Sequence, residues 1–164
     1  MEITLRIASG PEDADVLAAL AREIWTEHYT PIIGAAQVEY MLAHLQSSEA
    51  MLADMAAGYI YTLAYTNGRP CGYSGIRFDK DALFLSKLYV LESCRGQGIA
   101  RAMLNAAQDA AQQRGLKAIR LTCNKGNAGS LAAYDRFGFS RVKDIITDIG
   151  DGFVMDDYVM EKPL

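Results

Sequence analysis

The sequence predicts one α/β (α+β) domain with a mixed, mostly antiparallel central sheet flanked by helices, and three observations carry that prediction. The chain has 164 residues, 51% hydrophobic and 22% charged, which is one domain's worth of ordinary globular chain. Stretches with a period of two surround turn-forming dipeptides, the pattern of antiparallel hairpins. Beside them a strand, a helix, a second strand and a second helix follow one another, the β-α-β-α order that places a parallel pair in the sheet.

Residues 2 to 8 alternate well enough to make a first strand, and Ser9 with Glu12 has the S-x-x-E spacing of a helix start. Leu17, Leu20, Ala21, Ile24 and Trp25 then recur at helical spacing and put one apolar stripe on a core, with the helix ending near His28 before Pro31. Val38, Met41, Leu42 and Leu45 repeat that spacing after Gly34, and Ser48 is placed to cap a further short helix through Ala56. Tyr59, Tyr61, Leu63 and Tyr65 share a strand face. Asn67-Gly68 is a strong hairpin signal, and a strand from Pro70 to Phe78 follows. Residues 82 to 91 are a nearly continuous apolar run suited to a central strand. Helical spacing returns at Ile99, Met103, Leu104, Ala107 and Ala111, with Gly115 placed just past the end. A strand from Lys117 to Cys123, a helix capped by Asn127 and stopped at Gly138, and two strands flanking Ile149-Gly150-Asp151-Gly152 complete the chain.

Composition narrows the function. Sixteen Lys and Arg against 20 Asp and Glu give a net charge of -4, so the overall field attracts neither nucleic acid nor an anionic membrane, and any anionic ligand must be held by a local site. Cys71, Cys94 and Cys123 are widely spaced, with no CxxC pair, and suggest neither a disulfide framework nor a metal site. No window approaches the roughly 18 apolar residues of a membrane span, and Met-Glu-Ile-Thr is not the start of a secretion signal; the expectation is a cytoplasmic protein.

The segment that carries chemistry runs from Leu88-Tyr89-Val90 through Arg95-Gly96-Gln97-Gly98 to Ile99-Ala100-Arg101: a buried strand, a glycine-rich turn, then a helix. A helix start offers free N–H groups and a positive dipole end, glycines let backbone curl around a phosphate, and Arg95 and Arg101 add charge. A dinucleotide fingerprint is a poor fit, because Arg101 stands where a third glycine belongs and Cys123-Asn124-Lys125 supplies no acid for a ribose. The Walker pattern is absent. A glycine turn that merely starts a helix is the bland alternative.

The segment resembles the GCN5-related N-acetyltransferases, whose acetyl-coenzyme A signature is Q/R-x-x-G-x-G/A after a central strand; Arg95 to Ala100 fit it in full. Leu88-Tyr89-Val90 is similar to that family's splayed strand, and Asn127 to Phe139 fit its N-x-x-A/S-x-x-x-Y-x-x-x-G-F segment. The resemblance implies a single domain of that fold over residues 1–164 and transfer of the acetyl group of acetyl-coenzyme A to an amine of a small molecule or peptide, with no metal. It also implies that Leu88, Tyr89 and Val90 pair with the pantetheine arm as an added strand would, and that the amide of Tyr89 or Val90 faces the thioester carbonyl. Arg95, Gly96, Gln97, Gly98, Ile99, Ala100 and Arg101 would hold the diphosphate, Asn127 and Ser130 would touch the cofactor, and Tyr134 would protonate the sulfur or donate to it. Tyr134 also sits three residues before Phe137, on a helical face where tyrosines are often core.

By the same resemblance the first helices shape the acceptor pocket, making Trp25, Tyr29 and Ile32 candidates, although Trp25 also continues a core stripe. The segment from Trp25 to Leu42 is faintly similar to members linked to polyamines, and Asp148, Asp151, Asp156 and Asp157 suit a cationic acceptor, although such hairpin acids are usually solvated. The base stays open among Glu27, His28 and Glu92; Lys87 either lines the acceptor site or reaches the sheet rim. A homodimer is compatible with the family. The competing function is an acyl-coenzyme A-binding sensor or assembly module without turnover.

Overall fold

The computed structural model describes residues 2–164. Its elements are β1 (Ile3–Ile7), α1 (Gly10–His28), α2 (Thr30–Ile33), α3 (Ala35–His44), α4 (Ser48–Ala56), β2 (Ile60–Thr66), β3 (Arg69–Phe78), β4 (Ala82–Val90), α5 (Ile99–Gln113), β5 (Ala118–Asn124), α6 (Ala128–Arg136), β6 (Ser140–Gly150) and β7 (Phe153–Pro163). The strands form one sheet in the order β1-β2-β3-β4-β5-β7-β6. Neighbours run antiparallel except β4 and β5, which are parallel because α5 crosses between them. The mixed, mostly antiparallel sheet expected from the sequence is the one observed.

Strand alternation assigns the helices to opposite faces of the sheet. Tyr61, Leu63 and Tyr73 pack with the α1 stripe of Leu17, Leu20, Ala21, Ile24 and Trp25 and with Val38, Met41 and Leu42 of α3. Ala64, next to Leu63, points the other way onto Ile99 and Met103 of α5. Leu104, Ala107 and Ala111 of α5 and Leu131 of α6 cover Leu83, Leu85, Ile119 and Leu121. Each fully buried large apolar side chain contributes roughly 1.5–3 kcal/mol, so the two helix layers clamp the sheet from both sides.

Three local expectations change. The carboxylate of Asp13, one residue after Glu12, accepts the Ser9 N–H at 2.8 Å and two Arg6 N–H groups at 2.8 Å, so it closes the start of α1 in place of Glu12. The Arg6 guanidinium holds that carboxyl below the usual carboxylate range. α1 ends at His28, before Pro31, as expected, but an unexpected short helix, α2, follows with Pro31 in its first turn, where a missing N–H costs nothing. The cap of α4 is Ser47, whose hydroxyl accepts from Ala50 N at 3.1 Å, and Ser48 is the first helical residue. The helix ends follow expectation: the Leu116 N–H bonds Ala111 O at 3.0 Å around Gly115 (φ 70°).

Candidate active site

β4 and β5 pair only from Ala82 to Phe84 against Ala118 to Arg120. Beyond Phe84 the two strands part, and Leu85 to Val90 keep a partner on the β3 side alone. The Leu91 N–H donates to Cys71 O at 2.9 Å, which makes Leu91 and, by strand alternation, Tyr89 the residues whose polar groups face β3. Val90 and Leu88 therefore turn their N–H and C=O groups to the open edge. The Val90 carbonyl accepts Arg95 Nε there at 3.3 Å. Of the two amides expected to face a thioester carbonyl, Val90 has the right direction and Tyr89 does not.

The chain leaves β4 through a single 3-10 turn at Glu92–Cys94 and enters α5 through Gly96 (φ 77°) and Gly98 (φ 86°). These angles are strained for any side chain, which is why glycine recurs at this spacing. Gly98 is the N-cap of α5 and gives no side-chain cap, so the first N–H groups of the helix stay free to bind an anion.

On the other bank, the Asn127 side-chain oxygen caps α6 by accepting Ser130 N at 3.3 Å. Asn127 is buried, its Nδ2 donates to the Tyr29 hydroxyl at 3.0 Å, and its Oδ1 lies 3.0 Å from His28 Nε2. At the far end the Phe139 N–H bonds Tyr134 O at 3.0 Å around Gly138, and the Tyr134 and Phe139 rings meet edge to face at 5.4 Å. Tyr134 is thus fixed at backbone and ring. Burial pushes its phenol well above the ordinary tyrosine value, so the proton stays on oxygen and the O–H is kept as a hydrogen-bond donor.

Two cavities open along this split. The larger, about 530 Å³, runs from the open edge of β4 past the glycine turn to α6. The smaller, about 70 Å³, lies toward α1, α3 and β7. They share Tyr29, Leu88, Tyr89, Ser130 and Tyr134, so Tyr134 stands where they meet. The large cavity has the backbone edge, free amides and arginines that fit a long phosphorylated pantetheine chain.

Leu88, Tyr89, Val90, Arg95, Gly96, Gly98, Ile99, Ala100, Arg101, Ser130 and Tyr134 all line the large cavity, while Asn127 lines the small one. Gln97 is exposed and lines neither. Trp25 and Tyr29 line the small cavity, their rings stacked at 4.1 Å. Ile32 does not reach it: its Cγ2 faces Gly126, and the adjacent Ile33 forms the wall, because α2 turns the two side chains apart. Glu27 and Glu92 line neither cavity; the neighbouring Glu92 carboxylate raises Glu27's proton affinity. His28 lines the large cavity and is committed to Asn127. Lys87 lines the small cavity, but its ammonium turns beneath α4, donating to Leu45 O at 3.2 Å and the Tyr61 hydroxyl at 2.5 Å, 3.5 Å from Asp54. Burial pushes its pKa down.

Six lining residues were not expected at the large cavity: Gly129, Ala133 and Arg136 on α6, Phe137 at its end, Cys94 in the turn and Ile24 on α1. The first three recur at helical spacing with Ser130 and Tyr134, the signal that would have found them. In the small cavity the unforeseen polar groups are Gln37, Ser86, Thr122 and Asn124, and of the four hairpin acids expected to suit a cationic acceptor the buried Asp157 is the one that lines it.

A sequence model of the acetyltransferase (GNAT) family matches residues 18–139. The spermidine N(1)-acetyltransferase of Thermoplasma acidophilum is 23% identical over 156 residues, 92% of this chain and 91% of that one. Among solved structures, the PaiA N-acetyltransferase of Thermoplasma acidophilum in complex with coenzyme A superposes with a TM-score of 0.84 at 22% identity, covering 100% of both chains. A GCN5-related N-acetyltransferase from Rhodopseudomonas palustris gives 0.82 at 20% identity over 98% of this chain and 95% of that one.

Proposed function

The chain belongs to the acetyltransferase (GNAT) family, and from that membership we propose that it transfers the acetyl group of acetyl-coenzyme A directly to a primary amine, with a small polyamine as the first acceptor to test. The observation that carries this reading is the meeting of a large cavity along an open strand edge with a small cavity at Tyr134. Acetyl-coenzyme A supplies an activated acyl group; the chain positions it and moves protons.

The free edge of Leu88 to Val90 would hold the pantetheine arm by strand addition. Amides and arginines between Arg95 and Arg101 would hold the diphosphate, with Arg136 across the cavity. The Val90 N–H is the donor aimed where negative charge develops on the acyl oxygen. Tyr134, kept protonated by burial, would donate to the departing sulfur. What supports a polyamine is the 23% identical relative together with a net charge of -4. Free Cys71, Cys94 and Cys123 support a reducing, cytoplasmic setting. Exposed Val142 and Ile146 on the edge strand β6 support a homodimer.

Titrating released thiol while the protein turns over acetyl-coenzyme A with polyamines, amino acids and peptides tests the reading. Thiol release with an amine is expected. Tight acetyl-coenzyme A binding with no release for any amine would instead make the chain a non-catalytic binding module.

A further inference from the structure

We propose that the Asp157 carboxylate receives the acceptor's ammonium group in the small cavity beside Tyr134 and takes its proton, which makes that cavity a site for a primary alkylammonium. The proposal rests on the amine-acetylation reading and adds to it the acceptor's charge and the residue that handles it.

Asp157 is 2% exposed, and its Oδ1 is buried without a hydrogen-bond partner among the described residues. A buried carboxylate with an unmet oxygen is costly and is found where a ligand completes it. The other acids of the C-terminal hairpin are occupied or solvated: Asp148 accepts Gly150 N at 2.8 Å, Asp156 and Asp144 each lie 3.0 Å from Lys125 Nζ, and Asp151 is exposed in the turn. Of the acids among the described residues, Asp157 alone lines the cavity that Tyr134 closes.

Among the described residues, the cavity holds no cation free to neutralise it. Lys87 also lines the cavity, but its ammonium is spent on Leu45 O, Tyr61 and Asp54. Trp25, Tyr29 and Tyr89 form aromatic walls, a surface that attracts ammonium ions. A volume of about 70 Å³ accommodates several water-sized groups, an ammonium and its first methylenes but no bulky branch.

The groups facing Asp157 come from every surrounding element. Asp156 on its own strand raises its proton affinity, as burial does, and Lys125 lowers it. Asp144 of β6 sits on the far side of Lys125. Cys123 of β5, Tyr29 beside α1 and Tyr134 of α6 are all held neutral by burial, and Lys87 of β4 completes the set. The resulting pKa of about 6 leaves Asp157 ionised at neutral pH yet basic enough to accept a proton.

Protons balance as follows. R–NH3+ gives one proton to Asp157, freeing the nitrogen lone pair. As the N–C bond forms and the C–S bond breaks, the nitrogen loses its second proton while sulfur takes one from Tyr134. The nitrogen's proton restores the phenol, and Asp157 returns its own to solvent. The net products are an amide, a thiol and one proton.

The test compares wild type with Asp157→Asn and Asp157→Glu, using spermidine as the probe. Spermidine is titrated by calorimetry into the protein–coenzyme A complex, and kcat/KM is followed against pH. Asp157→Asn is expected to bind spermidine at least tenfold more weakly and to lose about 100-fold in kcat/KM at pH 7. That deficit should shrink as pH nears the amine's own pKa of about 10. Acetyl-coenzyme A affinity should hold, Asp157→Glu should recover part of the rate, and Asp157→Asn should melt no lower than wild type. Spermidine binding and rate within twofold of wild type overturn the proposal alone, as does a lower melting temperature, which assigns Asp157 a structural role. A wild type that acetylates no amine overturns the functional reading and this proposal with it.

Discussion

The Asn127 side chain donates to the Tyr29 hydroxyl at 3.0 Å while its oxygen caps the helix that carries Tyr134. One buried amide thus ties the end of α1 to the start of α6 across the split between β4 and β5, and sets the distance between the two cavities' walls.

Asn127→Ala should therefore cost more than a lost cap. The cap is worth about 1 kcal/mol, and an unpartnered buried Tyr29 hydroxyl adds about 1–3 kcal/mol. A loss of about 2–4 kcal/mol in chemical denaturation is expected, with weaker acetyl-coenzyme A binding. A stability within 0.5 kcal/mol or so of wild type, the usual surface range, would contradict the tie.

Tyr134→Phe removes one oxygen and leaves the packing on Phe139. Turnover should fall about 100-fold, within the usual range for an acid, while acetyl-coenzyme A affinity measured by calorimetry stays within about twofold. An unchanged rate would remove Tyr134 as the proton donor.

A Cβ on Gly72 would stand 2.6 Å from Tyr89 O, backbone against backbone. Gly72→Ala must push β4 outward along the very edge assigned to the pantetheine arm. The variant should be destabilised by about 2–4 kcal/mol and bind acetyl-coenzyme A more weakly. Wild-type affinity in a folded variant would show that this edge does not hold the cofactor.

Burial raises the folded-state pKa of Asp157 from 3.8 to about 6, so its ionised form opposes folding. The sign follows: the fold is unpenalised below pH 3.8 and loses stability as pH rises through about 6. At about 1.4 kcal/mol per tenfold change in proton affinity, the full penalty is about 3 kcal/mol. Denaturation of wild type and Asp157→Asn from pH 4 to 8 should show the variant gaining relative stability with pH; a constant difference would contradict a buried, ionised Asp157.

The turn at Asn67-Gly68, the Asn127 cap and the glycine loop were legible because each is written within a few neighbouring residues. Asn67 takes φ 51° and Gly68 φ 78°, the angles that this dipeptide favours. Asp157 was not legible in that way. It was one of four hairpin acids, and its burial arises only when β7 inserts between β5 and β6 and α1 and α3 close the opposite wall. Ile32 and Ile33 were likewise indistinguishable until α2 set their directions, and α2 itself was hidden because Pro31, which follows the end of α1, also starts the next short helix. The two directions of Lys87 could be separated only by the acceptors beneath α4.

The most direct measurement incubates the protein with acetyl-coenzyme A and spermidine and follows thiol release alongside the mass of the amine. The account predicts thiol released in step with spermidine carrying one acetyl group on a primary nitrogen. Acetyl-coenzyme A that binds yet yields no thiol above the buffer rate, with spermidine or any other primary amine, would contradict it.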